Sequence, residues 1–108
     1  MLTDEQIALI KDNQQQSIQD KTLTIEQLEL LYTNKWFNLW VPEELHGLGY
    51  DFVEGCQLLE EVAYHDGGLA WTLTLCAGAN MFAGFIDPAL AAGVFANPKV
   101  CFGGSGRP

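Results

Sequence analysis

Residues 69–86 read LAWTLTLCAGANMFAGFI, eighteen consecutive positions without a charged side chain. A run of this length reaches the threshold for a membrane-spanning helix. However, the run contains two threonines and an asparagine, aspartates flank it at positions 66 and 87, and no basic cluster sets an orientation. The run therefore predicts a helix inside a protein, buried on every side, and no membrane span.

The same run predicts that the chain needs a partner. A helix that is apolar all round needs cover all round, and the preceding segments offer three apolar stripes, of which the first is thin. Small residues in the run let another backbone or an apolar ligand come close: Gly78, Ala79, Ala83 and Gly84. We therefore expect something outside the upstream helices to cover the remaining face.

Three capping signals predict the helices that precede this run. Each has a hydroxyl or carboxylate at the N-cap and a glutamine or glutamate three residues later: Thr3 with Gln6, Thr24 with Gln27, and Asp51 with Glu54. The second helix should end near Asn34. The third should present one apolar face, made of Val53, Cys56, Leu59, Val62 and Ala63.

The stretch VPEELHGLGYDFVE at 41–54 predicts a tight corner, in which Pro42 ends the preceding segment while Gly47 and Gly49 allow positive φ. Asp87 and Pro88 predict the N-cap and first position of a short helix that reaches position 95. Residues 100–102 are β-prone. The chain is therefore expected to have an all-α fold with at most one short strand, at its C-terminal end.

Composition argues against several kinds of ligand. The chain has 108 residues, 48% of them hydrophobic, and a net charge of −9, which repels nucleic acid and anionic lipid. Cys56, Cys76 and Cys101 are an odd number without C-x-x-C spacing, so we interpret them as reduced, mostly buried thiols of a cytoplasmic protein. The two histidines, His46 and His65, lie too far apart in sequence to predict a metal site.

The order of these features resembles the N-terminal helical domain of the acyl-CoA dehydrogenase superfamily, over essentially all 108 residues. The most specific motif is V-P-E-E-x-x-G-L-G-x-D at 41–51. Weaker ones are the Asp-Gly-Gly at 66–68, LAWTL at 69–73, Asp-Pro-Ala at 87–89 and CFGGSG at 101–106. His46 stands where the family often has a glycine.

The resemblance implies a small orthogonal helical domain at 1–98 and the start of a middle β-domain at 99–108. Full-length members continue into a C-terminal four-helix bundle and assemble as homodimers or homotetramers. FAD would bind between the middle and C-terminal parts, and a glutamate of the bundle would take the α-proton of an acyl-CoA thioester while the β-hydride passes to the flavin. This chain would then hold no catalytic residue and would be inactive alone.

For the chain itself, the resemblance implies a wall of the acyl-tail cavity, lined by Thr74, Leu75, Gly78 and Ala79. Phe102 and Ser105 would contact FAD. The segment FGGSGRP at 102–108 lacks the Thr-Glu-Pro of the family's loop, which favours, as an alternative, a flavin-dependent monooxygenase of the same superfamily. A second alternative is a non-catalytic helical module that associates with itself or another protein through residues 69–86.

Overall fold

The computed structural model describes residues 2–101, and over this range the all-α fold is confirmed. Its α-helices are α1 (Asp4–Asp20), α2 (Ile25–Thr33), α3 (Phe52–His65), α4 (Gly67–Asn80) and α5 (Pro88–Val94). Short 3₁₀ helices cover Trp36–Asn38, Glu43–Leu45 and Met81–Phe85. Val100 and Cys101 are not in a strand, and the rest of the predicted strand lies outside the described residues.

The predicted helix starts are confirmed in detail. Thr3, Thr24 and Asp51 each accept a hydrogen bond from the backbone N–H three residues later, and in all three cases the side chain at that position bonds back to the cap. Reciprocal capping satisfies two backbone donors that a helix start otherwise leaves unpaired. The predicted cap at Asp87 is also present, with Pro88 in the first turn of α5.

The main core lies where α3 and α4 pack together, with α1, α2 and the segment at 36–40 closing it on the other sides. Its innermost side chains are fully buried: Ile10, Leu31, Leu39, Val62, Leu69 and Leu73. A smaller cluster of Val41, Ala83 and Phe95 seats α5 against the corner. This arrangement fixes one face of α4 against the rest of the domain.

The buried face of α3 differs from the predicted one. Leu59 and Val62 are buried as expected, but Val53 is 62% exposed and Ala63 is exposed. The buried face is instead centred on Gly55, where a Cβ atom would collide with the indole of Trp40. Because glycine leaves that space empty, α3 packs with Gly55 against Trp40, and the buried side of the helix differs from the predicted apolar face.

The corner at 41–54 uses its glycines for two different reasons. Gly49 has φ +64°, as predicted, but Gly47 does not have positive φ. Gly47 is needed because a Cβ atom there would collide with the carbonyl oxygen of Val41. The second left-handed position is His46, with φ +68°. A glycine at this position would adopt that conformation without strain.

Helix α4 ends at Asn80, earlier than the sequence predicts, and this residue belongs to a buried amide pair. Asn80 Nδ2 donates to Asn38 Oδ1 at 2.7 Å, across 42 positions of sequence, and both side chains are buried. The chain continues from Asn80 as the 3₁₀ helix Met81–Phe85. The uncharged run therefore forms one α-helix and one tighter turn instead of a single helix to residue 86.

Candidate functional site

Helix α4 has a covered face and an open face. Leu69, Leu73 and Ala77 point into the core and are at most 1% exposed. On the opposite side Trp71 is 66% exposed and Leu75 is 56% exposed. Within this chain the domain covers only one side of α4, and the cover that the sequence predicts for the other side, from outside the upstream helices, stays a prediction.

The open face continues into the 3₁₀ turn that follows. Phe82 is 58% exposed and Phe85 is 80% exposed, and their ring centroids lie 6.0 Å apart. Trp71, Leu75 and Phe82 are spaced by four and seven residues, which brings them onto one line along the helix axis. We call the surface formed by Trp71, Leu75, Phe82 and Phe85 the outer face.

By length and composition, Gly67–Phe85 is one stretch that could cross a membrane, and 33% of its most apolar window is buried within the domain. The buried third is packed against α3 and the 36–40 segment, and buried Asn80 is hydrogen bonded near its end. The core helix of a soluble domain meets the same length and composition criteria. This helix therefore does not indicate a membrane span.

The structure brings three of the four predicted pocket residues to the outer side of α4. Thr74 and Leu75 are exposed there, and a Cβ atom at Gly78 would meet nothing within 4 Å. Ala79 is half-buried and lies at the flank, on the side of Cys76. Phe102 and Ser105, the predicted FAD contacts, lie outside the described residues.

A groove of about 320 Å³ runs between α3 and α4 beside the outer face. Its walls are mostly small or apolar and are formed by Cys56, Leu59, Glu60, Ala63, Gly67, Ala70, Trp71 and Thr74. Ala63, which the sequence assigned to the apolar face of α3, lines this groove instead, whereas Val53 does not. The groove and the outer face meet at Trp71, so they form one continuous apolar surface.

Sequence reasoning missed Trp71, Phe82 and Phe85 as surface residues of this site. Among the tryptophans, Trp36 is buried, whereas Trp71 is 66% exposed. The available signal was the helical spacing from Trp71 to Thr74 and Leu75, which places all three on one side of α4.

Two carboxylates of α3, Glu54 and Glu61, make hydrogen bonds that stabilise the fold. Glu54 completes the capping box of α3, and Glu61 Oε1 accepts a hydrogen bond from the Leu2 N–H at 2.8 Å. Glu60 is exposed at the groove edge. Within residues 2–101, no three histidine, cysteine, aspartate or glutamate side chains come together to hold a metal ion.

The model of the acyl-CoA dehydrogenase N-terminal domain family matches residues 3–90. The chain belongs to this family. No match was found among curated proteins, and none among solved structures. The match includes the corner at 41–54, α3, and all of α4 with its outer face, so the surface described above belongs to the acyl-CoA dehydrogenase N-terminal domain itself.

Members of this family generally work with FAD, but the groove and the start of α3 do not fit the FAD pyrophosphate. FAD carries a pyrophosphate, which proteins hold with helix N-termini or basic side chains. The groove presents Glu60, and α3 begins with Asp51 and Glu54, all of which repel phosphate. We therefore derive no reaction step through FAD from these residues of the N-terminal domain.

Proposed function

We propose that the chain acts as the N-terminal domain of an FAD-dependent, acyl-CoA-dehydrogenase-like oxidoreductase, and that the outer face of α4 forms part of its acyl-tail pocket. The observation that carries this proposal is the outer face itself. Its large apolar side chains lie in one line and are more than half exposed. Such a contiguous apolar surface marks a binding site more often than ordinary solvent-facing structure.

The chemistry of the outer face indicates which part of an acyl-CoA substrate it would bind. An alkyl tail is bound by apolar area without specific charges, which is what Trp71, Leu75 and the open space at Gly78 offer. The phosphates of coenzyme A are a poor match for a domain with a net charge of −9. This domain is therefore assigned the acyl tail, and the nucleotide end is assigned to other domains.

The role of residues 2–101 in the reaction is to position the substrate. Packing the tail against the outer face excludes water and limits how far the thioester can move, which are the contributions a pocket wall makes to catalysis. Thr74, Leu75, Gly78 and Ala79 are proposed as the lining. Phe102 and Ser105 are proposed as flavin contacts, together with residues of the middle and C-terminal domains.

The same proposal includes middle and C-terminal domains that cover what the acyl tail leaves exposed, in a homo-oligomer located in the cytoplasm. Trp71 and Phe85 would lose several hundred Å² of unfavourable contact with water if another domain packed there, because aromatic side chains bury roughly 150–250 Å² each. Residues 99–108 would begin the middle β-domain.

The proposal is tested by measuring how kcat/KM depends on acyl chain length in the full-length protein, encoded by the complete reading frame. Gly78→Leu fills the room of about three methylene groups, each worth about 0.8 kcal/mol on burial. We expect kcat/KM for a long-chain acyl-CoA to fall by roughly one to two orders of magnitude, with little change for a short-chain substrate.

Gly93→Leu is the matched control, because Gly93 also lies in a helix with nothing within 4 Å of a Cβ atom but is on α5. An equal loss for every chain length, or the same effect from both variants, would contradict the assignment of α4 to the pocket. Hydroxylated product formed with consumption of oxygen would support the monooxygenase alternative.

The outer face also favours a second function, self-association of a non-catalytic module. In that case the 108-residue chain forms a defined dimer in sedimentation experiments, and Trp71→Glu returns it to a monomer. If the full-length protein bound no flavin, that result would also support self-association of a non-catalytic module. A monomeric chain at all accessible concentrations would exclude it.

A further inference from the structure

The end of the described chain returns to α4 and is held there. Asn80 Nδ2 donates a hydrogen bond to the carbonyl oxygen of Val100 at 3.4 Å, in addition to its bond with Asn38. Cys76 lies four residues before Asn80, and residues at this spacing are neighbours on a helix surface. Cys101 follows Val100 directly. The backbone contact at Asn80 therefore sets Cys101 beside Cys76.

The two thiols are neighbours. Cys101 and Cys76 lie close enough to influence each other electrostatically, and both sulfurs lie close enough to Tyr32 of α2 to contribute to the raised pKa of its hydroxyl. Cys76 is half-buried and packs against the main core, whereas Cys101 is exposed. The expectation of mostly buried thiols is therefore wrong for Cys101. Cys76 is held by its packing against the core, and neither cysteine is fully buried, so a small dissolved oxidant can reach the pair.

We propose that Cys76 and Cys101 are a site of reversible oxidation that forms an intramolecular disulfide. The proposal goes beyond the function proposed above and does not depend on it. Disulfide formation needs two sulfurs that can approach to about 2 Å with little backbone movement. Cys76 lies on α4 one turn before Asn80, and Asn80 anchors the backbone one residue before Cys101, so the two neighbouring thiols meet this need.

The reaction balances with hydrogen peroxide as the oxidant. The Cys76 thiolate attacks one peroxide oxygen, breaks the O–O bond and becomes a sulfenic acid, while the departing hydroxide takes up a proton to become water. The Cys101 sulfur then attacks the Cys76 sulfur and expels hydroxide, which takes the proton from Cys101. Two thiols and one peroxide thus give one disulfide and two water molecules. A dithiol reductant reverses the change by thiol–disulfide exchange.

The order of the two steps follows from the surroundings of Cys101. Desolvation raises the pKa of Cys101 to about 12, with a further contribution from the neighbouring Cys76 side chain. Cys101 therefore keeps its proton at neutral pH. Since the thiolate is the nucleophile, Cys76 is assigned the first attack and Cys101 the second.

The disulfide would change what the segment after α4 can do. It closes a covalent loop from 76 to 101 that contains the 3₁₀ turn and α5. A closed loop has fewer unfolded conformations, so oxidation is expected to raise the melting temperature of the chain. The direction in which the chain leaves residue 101 would also become fixed relative to α4.

The test uses the 108-residue chain with Cys56→Ser, which leaves only the proposed pair. Treatment with hydrogen peroxide should lower the mass by two hydrogen atoms, remove both free thiols and raise the melting temperature, and dithiothreitol should reverse all three changes. Trypsin cleaves after Lys99, so the disulfide should join the peptide that begins at Val100 to the peptide that contains Cys76.

Cys76→Ser and Cys101→Ser are the matched controls, because each keeps Cys56 and one member of the pair. Neither should gain an internal cross-link, and circular dichroism checks that each remains helical. Oxidation of the Cys56→Ser chain to covalent dimers, or to sulfinic acid without a cross-link, would overturn the proposal. So would a cross-link in the unsubstituted chain that involves Cys56.

Discussion

At the scale of single residues, Gly55 decides how α3 meets the corner. The Trp40 indole occupies the space beside it, donates a hydrogen bond to the Asp51 carbonyl oxygen at 3.2 Å and stacks on Phe52 with ring centroids 5.4 Å apart. A Cβ atom at Gly55 would also come within 2.6 Å of Leu39 Cδ1. The absence of a side chain is thus what permits this packing.

We predict that Gly55→Ala destabilises the chain, although alanine is the better helix former by about 1 kcal/mol. Overpacking a well-filled core costs about 1–3 kcal/mol, which exceeds the gain in helix propensity. The measurement is the urea midpoint of unfolding. Gly78→Ala is the control, because its Cβ has open space, and it should raise the midpoint. A higher midpoint for Gly55→Ala would refute the packing argument.

A second prediction at this scale concerns Cys101 in alkaline solution. Its pKa in the folded chain is about 12, against 9.0 for an ordinary thiol, so between these values the folded state holds a proton that the unfolded state has lost. The free energy of unfolding should therefore be unaffected by this group below pH 9 and should fall as the pH rises toward 12.

Other groups also titrate in this range, including Tyr32, whose pKa is raised chiefly by burial. The measurement is thus a comparison of unfolding free energies against pH for the unsubstituted chain and Cys101→Ser. The serine variant should show the shallower decline. Identical curves would mean that the folded environment does not hold the Cys101 proton.

Residue-level prediction from sequence succeeded where the interaction is local. The three capping boxes join residues three positions apart, so Thr3, Thr24 and Asp51 could be recognised from the sequence alone. Gly47 and Gly55 could not, because each is required by a side chain or carbonyl that only the folded corner brings near. The left-handed conformation of His46 is likewise invisible in the residue type.

At the scale of elements, Asp66 separates α3 from α4. Its backbone is extended, with φ −155° and ψ 102°, and its side chain accepts a hydrogen bond from the Leu69 N–H at 3.1 Å while buried. It therefore ends one helix and caps the next. Sequence reasoning began α4 at Leu69 and did not use Asp66 as its cap, although an aspartate before two glycines is a recognisable start signal.

We predict that Asp66→Ala lowers the free energy of unfolding by about 1–2 kcal/mol, the usual cost of losing an N-cap that is also buried. Asp66→Asn keeps an acceptor oxygen and should recover most of that loss. Chemical denaturation of both variants gives the comparison. If the asparagine variant loses as much stability as the alanine variant, the negative charge matters more than the cap.

The candidate site could be predicted only in part at this scale. Helical spacing correctly brings Thr74, Leu75 and Gly78 together, since all depend on one α-helix. Helix α4 ends at Asn80, whose side chain is hydrogen bonded to Asn38, 42 positions away in the sequence. For that reason the turn that presents Phe82 and Phe85 could not be read from the sequence.

At the scale of the whole molecule, charge and apolar surface are divided. Thirteen of the fourteen acidic residues lie between Asp4 and Asp66, whereas the outer face carries large apolar side chains. The acidic part keeps the domain solvated and repels polyanions. The outer face is the surface that the proposed function assigns to contact with an acyl tail or another domain.

Hydroxyl-radical footprinting of two proteins tests this account most directly: the 108-residue chain, and a full-length protein that also carries the proposed middle and C-terminal domains. In the 108-residue chain, the four side chains of the outer face should be strongly modified: Trp71, Leu75, Phe82 and Phe85. In the full-length protein they should be protected. Ile25, which is 71% exposed on α2, is the internal control and should react equally in both proteins. Equal modification of the outer face in the two proteins, or its protection in a monomeric 108-residue chain, would contradict the claim that this face is built to be covered.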